Sequence, residues 1–304
     1  MTARAKRVHR GLVVADLLLA VAALASLLLF RPATSSAAAI TVHQGNDASF
    51  NPQDRTDPFF ILLVGIDGRP GLQGIRGDAL HLVGVNPANH SATILNIPRD
   101  TWVNIPGFGM DKINGGYLDA GLAKQEETIT AFTGVQFAFT IETNFDGLQG
   151  MVDELGGIDV NVPFRMFDTN SGADFQPGIN HMQGPGALAF SRDRHIPDGD
   201  IARTTNQAWL LISGLQAAED QTKSPFGTMR LLGIMSRHTH YDRVNLQDLY
   251  SLTSYALTID PTTVRNVTMP SRIGKVGAAD VVFAAPEAAD LFADFRDDAI
   301  LQNH

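Results

Sequence analysis

One segment constrains this chain more than any other. Residues Phe59–Ile66, FFILLVGI, form a run of eight positions without a polar side chain. A strand with one wet face alternates apolar and polar residues, so an unbroken run predicts a strand covered on both faces. Such a strand belongs in the middle of a sheet with helices above and below it. The run stops at Asp67-Gly68-Arg69-Pro70-Gly71, a turn cluster in which Gly and Pro end the extended chain.

The rest of the pattern agrees with that placement. Strands are predicted over Ala79–Val85 and Thr93–Ile97, separated by the turn Asn86-Pro87-Ala88-Asn89, and again over Phe137–Ile141 and Ile158–Val162. Helices are predicted over Gly116–Phe132 and over Phe145–Leu155, which Gly156-Gly157 stops. A longer helix runs from an N-cap at Asp200 to about Ala218, with Leu210, Leu211 and Leu215 on its apolar side. More helix is expected through about residues 225–257, then strands near residues 265–269 and 280–284, and a last helix over roughly 286–296. Strands interleaved with helices make an α/β fold. We read residues 58–300 as a single α/β/α layered domain around a central mixed sheet.

Before that domain lies Gly11–Phe30, GLVVADLLLAVAALASLLLF, long enough to cross a hydrocarbon core of roughly 30 Å as a helix. Four Lys/Arg precede it and Arg31 follows, so the positive-inside rule orients residues 1–10 to the cytoplasm and the body outside. Asp16 opposes insertion mildly. A cleavable signal peptide is the alternative, with Ser35–Ala39 as its cleavage region; the apolar length favours a retained anchor at residues 11–30. Residues 31–57, small and polar without sustained periodicity, read as a linker. The expected location is the cell membrane, single-pass, with the working domain extracytoplasmic.

Charge narrows the function. The chain carries −9 overall, and residues 1–31 carry +4, so the remaining 273 residues carry −13. A nucleic-acid coat needs the opposite sign, so no nucleic-acid partner is expected. The absence of Cys excludes disulfides, thiol catalysis and Cys-ligated zinc. Arg outnumbers Lys by 18 to 5. A GC-rich genome produces that bias, and so does forked recognition of phosphate.

In layered α/β sheets ligands sit beyond the carboxyl ends of strands, and four polar clusters follow apolar runs. Asp67 and Asp78 lie 11 residues apart at the end of one strand and the start of the next, where they can meet at one sheet edge. Paired carboxylates with water and phosphate are the usual ligands of Mg²⁺, although turn-capping Asp is the commoner reason for such residues. Arg99 follows a strand in Ile97-Pro98-Arg99-Asp100. If Phe190–His195 is extended, Arg192 and Arg194 share a face about 7 Å apart, and something anionic must lie between them. Arg203 and Gln207, at i and i+4 in the first turns of a helix, face the end where anions are favoured. Each feature alone is ambiguous; together they offer four Arg and two Asp around strand ends, the makings of a metal-assisted pyrophosphate site.

The run ILLVGID, RGDALHLVGVNP, NIPRDTWVNIPGFGMDKINGGY, NFDGLQGMVDELGGIDVNVP and FSRDRH…DGDIARTTNQ resembles the LytR–CpsA–Psr family, in order, over about residues 59–220. The resemblance implies a membrane-anchored protein with that family's α/β domain. It implies a phosphotransferase that moves a glycan (of teichoic acid, capsular polysaccharide or arabinogalactan type) from a polyprenyl-pyrophosphate carrier to a peptidoglycan acceptor through a phosphodiester. It also implies that Asp67 and Asp78 hold Mg²⁺ or Mn²⁺, and that Arg76, Arg99, Arg192, Arg194 and Arg203 line the pyrophosphate site with Gln207 beside them. Arg69 and Lys112 are further contacts on the same grounds. Arg76, Arg99 and Asp78 are the expected catalytic set, Asp78 serving either as metal ligand or as general base. The sequence departs from the family at Asn206, where a second Arg is frequent, and at Ile201 and Ala202.

Two other readings use the same site: hydrolysis of the polyprenyl pyrophosphate by water, and non-catalytic binding of polyprenyl phosphates by a regulator of wall assembly. A polyprenyl tail also needs an apolar groove, for which the 17 Phe are candidates, although each serves core packing more often. His238-Thr239-His240 offers a metal pair without a third ligand at convincing spacing and reads as a solvated helix end.

Overall fold

A computed structural model describes residues 40–51, 56–67, 74–223, 227–244, 248, 252–253 and 255–302. The strands are β1 (Ile40–Gln44), β2 (Phe59–Ile66), β3 (Gly77–Asn86), β4 (Ser91–Asn96), β5 (Trp102–Ile105), β6 (Gly109–Lys112), β7 (Phe139–Thr143), β8 (Ile158–Val162), β9 (Met166–Asp168), β10 (Ala173–Phe175), β11 (Gly178–Met182), β12 (Thr239–Asp242), β13 (Arg265–Thr268), β14 (Ser271–Val276) and β15 (Ala279–Ala284). The helices are α1 (Gly115–Thr133), α2 (Phe145–Leu155), α3 (Gly184–Arg192), α4 (Gly199–Thr222), α5 (Gly227–His238) and α6 (Ala288–Asp298).

Seven strands form one mixed sheet in the order β12-β1-β7-β2-β3-β4-β13. The apolar run is its central strand. Phe60, Leu62, Val64 and Ile66 pack with Ile129 of α1 and with Leu291, Phe292 and Phe295 of α6. Phe59 and Ile61 pack on the opposite face with Phe139, Ala208 and Leu211. Each fully covered side chain of this size contributes about 1.5–3 kcal/mol, so the eight-residue run anchors both halves of the core. β2 pairs with β3 antiparallel and with β7 parallel, which makes the sheet mixed.

Several elements differ from the sequence reading. Part of the stretch expected to be linker is β1, which lies between β7 and β12 in the main sheet, and Phe50 stacks on Phe59 and Phe139 at 5.4 and 5.2 Å. The helix expected through residues 225–257 is interrupted by β12, which pairs parallel to β1 from almost 200 residues away. Arg192 ends a helix rather than lying in an extended segment. Helix α4 is capped at Asp198, in the left-handed conformation at φ 64°, so Asp200 is a first-turn residue and not the N-cap. Among the described residues no helix is long and apolar enough to cross a membrane. The candidate anchor Gly11–Phe30 lies outside the described residues.

Two local features aim the fold at one site. Between β2 and β3, Gly65 pairs with Ala79 and Ile66 with Gly77, so the register slips by one and Asp78 has no opposite residue. A bulge of this kind turns its side chain out of strict alternation. At the start of α3, a Cβ on Gly184 would lie 2.5 Å from the Gln149 carbonyl oxygen of α2. Only glycine permits that approach, and it fixes where Arg192 emerges eight residues later.

Candidate functional site

The sheet face under α2 and α4 encloses a cavity of about 570 Å³. Period-two alternation along β2 turns Leu63, Gly65 and Asp67 toward it, and the bulge adds Asp78. Helix α2 begins with Asn144, whose side chain accepts from the Gly147 amide at 2.9 Å. That cap satisfies an otherwise orphaned donor and sets the rotation of the helix. Leu148, Met151, Val152 and Leu155, spaced i, i+3, i+4 and i+7, then line the cavity as one stripe.

Helix α4 supplies the opposite wall. Arg203, Gln207, Leu210, Leu211 and Gly214 all line the cavity and share one helical face. At 1.5 Å per residue this face is about 16 Å long, and it passes from guanidinium to amide to leucine. The cavity has a charged end and an apolar end, its mouth and its depth in chemical terms rather than by burial.

The mouth is held by ion pairs. Asp78 Oδ1 accepts from the Arg99 guanidinium at 2.7 Å and from Asn114 Nδ2 at 3.3 Å. Its Oδ2 carries no hydrogen bond among the described residues. Asp200, read from the sequence as a cap, is instead the hub of three arginines. Its Oδ1 lies 2.9 Å from Arg203, 3.6 Å from Arg99 and 3.6 Å from Arg194. None of these is aligned as a hydrogen bond, so both oxygens of this carboxylate and the Nε donors of Arg99 and Arg203 are buried without a hydrogen-bond partner. Gln207 donates to the Ser191 carbonyl at 3.0 Å and leaves its own Oε1 unsatisfied. Buried unpaired donors and acceptors are costly, and their concentration at one place marks a site built for a polar ligand.

Burial and charge act on these groups together. Burial pulls the Arg203 guanidinium down to about 10; Asp200 and Asp78 oppose that, while Arg99 and Arg194 add to it. Burial also lowers Arg99, but Asp78, Asp200 and Asp100 outweigh it and leave the group above its ordinary value. His81, which also lines the cavity, is lowered to about 4, chiefly by burial, with Arg203 adding to the effect. Its Nδ1 is 2.7 Å from Asn96 Oδ1, and Asn96 in turn donates to Asn266 at 2.6 Å and Thr268 at 3.2 Å. With the Asn96 amide committed to those two acceptors, its Oδ1 takes the proton of a neutral His81.

The structure brings Asp67, Asp78, Arg192, Arg194, Arg203 and Gln207 to the wall of one cavity, from its two sides. Arg192 lies over the Phe145 ring at 5.3 Å from its centroid. Arg99 stands behind that wall, joined to it through Asp78 and Asp200. Arg76 is half-buried just before β3 and is not part of the wall. Lys112 pairs with Asp100 at 3.0 Å and is also outside it. Arg69 lies outside the described residues. Sequence reasoning missed Asp200 as a hub, His81, Asn114 and the whole apolar depth. The i, i+3 spacing of Asp200 and Arg203 was the available signal for the first of these. The depth is lined by Leu, Ile, Val and Met, with Phe145 the sole Phe among its lining residues. His238 pairs with Glu154 at 2.8 Å, alongside Arg237 on the same carboxylate, so an ion cluster occupies that helix end.

Four guanidiniums (Arg99, Arg192, Arg194, Arg203) and the carboxylates of Asp67, Asp78, Asp168 and Asp200 meet at this end, so their formal charges cancel. A pyrophosphate diester brings two negative charges, which a divalent cation at Asp67 and Asp78 would offset. The open Oδ2 of Asp78 and the shared wall fit a hard cation with oxygen ligands.

A model of the LytR_cpsA_psr family matches residues 27–294. The chain is 39% identical over 159 residues to a Bacillus mycoides protein named polyisoprenyl-teichoic acid–peptidoglycan teichoic acid transferase TagU, covering 52% of this chain and 51% of that protein. The Bacillus licheniformis protein of the same name is 37% identical over 180 residues, 58% of each chain. The chain therefore aligns with little more than half the length of these curated relatives. Among solved structures, TagT bound to LIIa-WTA matches with a TM-score of 0.67 at 23% identity, over 84% of this chain and 97% of that one. A LytR-Csp2A-Psr enzyme from Actinomyces oris matches with a TM-score of 0.67 at 23% identity, over 89% and 97%. These two likenesses show the fold.

Proposed function

The chain belongs to the LytR_cpsA_psr family, and from that premise we propose that it transfers a glycan from a polyprenyl-pyrophosphate carrier to a peptidoglycan hydroxyl, forming a phosphodiester. One observation carries this reading. A single face of α4 runs from Arg203 to Gly214 inside one cavity, charged and polar through Arg203 and Gln207 and apolar from Leu210 onward. That gradient matches a ligand with an anionic head and a long hydrocarbon tail. The relatives' names, which join a polyisoprenyl-linked glycan to peptidoglycan, support the same class of substrates.

In the proposed reaction the acceptor hydroxyl attacks the glycan-bearing phosphorus. A new P–O bond forms, the bridging P–O bond breaks, and polyprenyl phosphate leaves with the bridging oxygen. Phosphoryl transfer is mostly positioning and electrostatics. Arg203 and Arg194 turn their free donors to the pyrophosphate oxygens, and Arg192 adds charge from the Phe145 side. Arg99 fixes the Asp78 carboxylate and holds Asp200 among the arginines. Arg76 contributes from the rim, next to Asp78. Asp67 and Asp78 would hold Mg²⁺ or Mn²⁺, which offsets charge on the phosphate oxygens when bound. The Oδ2 of Asp78 either binds that ion or takes the proton of the acceptor hydroxyl. Leu148, Met151, Val152, Leu155, Leu210 and Leu211 exclude water from the first isoprene units.

A membrane-borne carrier requires a membrane-proximal enzyme, so we further propose that residues 11–30 anchor the chain with its domain outside the cytoplasm. The test incubates the full chain, in detergent, with a polyprenyl-pyrophosphate glycan, Mg²⁺ and peptidoglycan. Glycan joined to peptidoglycan through a phosphodiester is the expected product. Free phosphorylated glycan despite a good acceptor would identify a hydrolase, and bound but unreacted donor a binding protein.

A further inference from the structure

We propose that Asp168, Asp193 and His195 form a second divalent-cation site, separate from the Asp67/Asp78 pair and suited to a zinc-like ion. The three residues come from different local structures. Asp168 ends β9, Asp193 follows the last residue of α3, and His195 stands two positions further on. One donor atom from each lies within 4.8 Å of the other two. Asp168 and His195 also line the cavity, so the cluster opens onto the charged mouth.

The second observation is the state of Asp193. The residue is wholly buried, its Oδ1 accepts the His195 amide at 2.8 Å, and its Oδ2 has no hydrogen-bond partner. No cationic side chain pairs with it among the described residues. Arg194 is engaged with Asp200 and Arg192 with the Phe145 ring. A sealed carboxylate oxygen without a donor is costly, and a cation bound at that oxygen removes the cost.

Asp168 is prepared as a ligand. The Asn170 and Ser171 amides donate at 3.0 Å each, which fixes the carboxylate plane as outer partners do for metal ligands. His195 Nδ1 is already 3.0 Å from Asp168 Oδ1. Donors about 2.1 Å from a tetrahedral ion stand about 3.4 Å apart, so only a small inward movement is required. The exposed imidazole of His195 is free to make it.

The donor set selects the ion. Two carboxylates and one imidazole suit Zn²⁺, whereas Mg²⁺ prefers oxygen alone. Three protein ligands leave a fourth position toward the cavity, where water or an anionic oxygen completes the tetrahedron. Metal occupancy does not depend on the transferase reading, and its test is independent of turnover.

The test strips the full chain with chelator, dialyses it against Zn²⁺ with millimolar Mg²⁺ present, and measures bound zinc by mass spectrometry. One equivalent is expected for the wild type and for an Asp67→Asn/Asp78→Asn variant. Zinc affinity should fall about tenfold or more in His195→Ala and in Asp193→Asn. Because His195 is exposed, His195→Ala keeps the test sound if burying Asn at 193 disturbs folding. The proposal is overturned if the wild type takes up no zinc, if His195→Ala binds zinc as tightly as the wild type, or if the Asp67/Asp78 variant loses it.

Discussion

The mouth and the depth of the cavity are a few helical turns apart and are built on opposite principles. At the mouth, Asp78, Asp200, Arg99, Arg194 and Arg203 form a connected set of ion pairs, with donors left over. In the depth, Leu148, Met151, Val152, Leu155, Leu210 and Leu211 present surface without direction. Directional groups lose function when a single atom moves. Apolar surface tolerates change so long as water stays out. Under the proposed function, chemistry belongs to one end and affinity for the carrier to the other.

The largest effect should come from the mouth. Arg203→Ala removes the buried guanidinium that touches both Asp200 and the Asp78 carbonyl, and glycan transfer should fall about 100- to 1000-fold. Arg203→Lys should recover little of it, because an ammonium lacks the planar fork. Transfer within a few-fold of wild type in Arg203→Ala would erase the distinction between the two ends.

At the border stands His81. Its folded pKa, about 4, lies below the ordinary 6.5, so protons favour the unfolded chain. Its contribution to stability is complete above pH 6.5 and is lost as pH falls toward 4, a span worth about 3 kcal/mol. Urea unfolding at pH 7 and pH 4.5 should show a smaller drop for His81→Leu than for the wild type. An equal drop in both would place the acid sensitivity elsewhere.

The depth should answer differently. Leu211→Gln inserts an amide among apolar groups at a cost of about 1–3 kcal/mol. KM for a long-chain polyprenyl donor should rise, while kcat/KM for a short, water-soluble prenyl donor should stay near wild type. Loss of both would mean that Leu211 supports the fold rather than the tail. The smallest effect is expected at Phe145→Leu, which removes the ring under Arg192 but keeps an apolar wall. A decrease of a few-fold in transfer corresponds to the ~0.5–1 kcal/mol of such a contact; no change would show that Arg192 needs no platform.

These two ends were also unequally legible in the sequence. The mouth could be found because its residues lie at strand ends or a helix start and are charged or polar: Asp67, Asp78, Arg192, Arg194, Arg203 and Gln207 do line one cavity. The depth could not, since the stripe on α2 has the same spacing as any helix face that packs on a core. Short strands escaped for a related reason. β1 is five residues long with His43 and Gln44 at its end, and β12 is four residues inside what reads as helix. β12 is a strand because β1 lies beside it, and β1 because β7 and β12 flank it.

The sequence by itself determined the central strand, the helix Phe145–Leu155 and the strand Ile158–Val162, because a continuous apolar run, a Gly stop and period-two alternation are local signals. It also determined the family, through an ordered set of motifs. The tertiary structure decided that Asp78 is turned out of register by a bulge, that Asp200 gathers three arginines, and that two helical stripes face each other across a cavity rather than fill a core. Those outcomes depend on which distant surfaces meet, and contact energies between residues far apart leave no periodic trace along the chain.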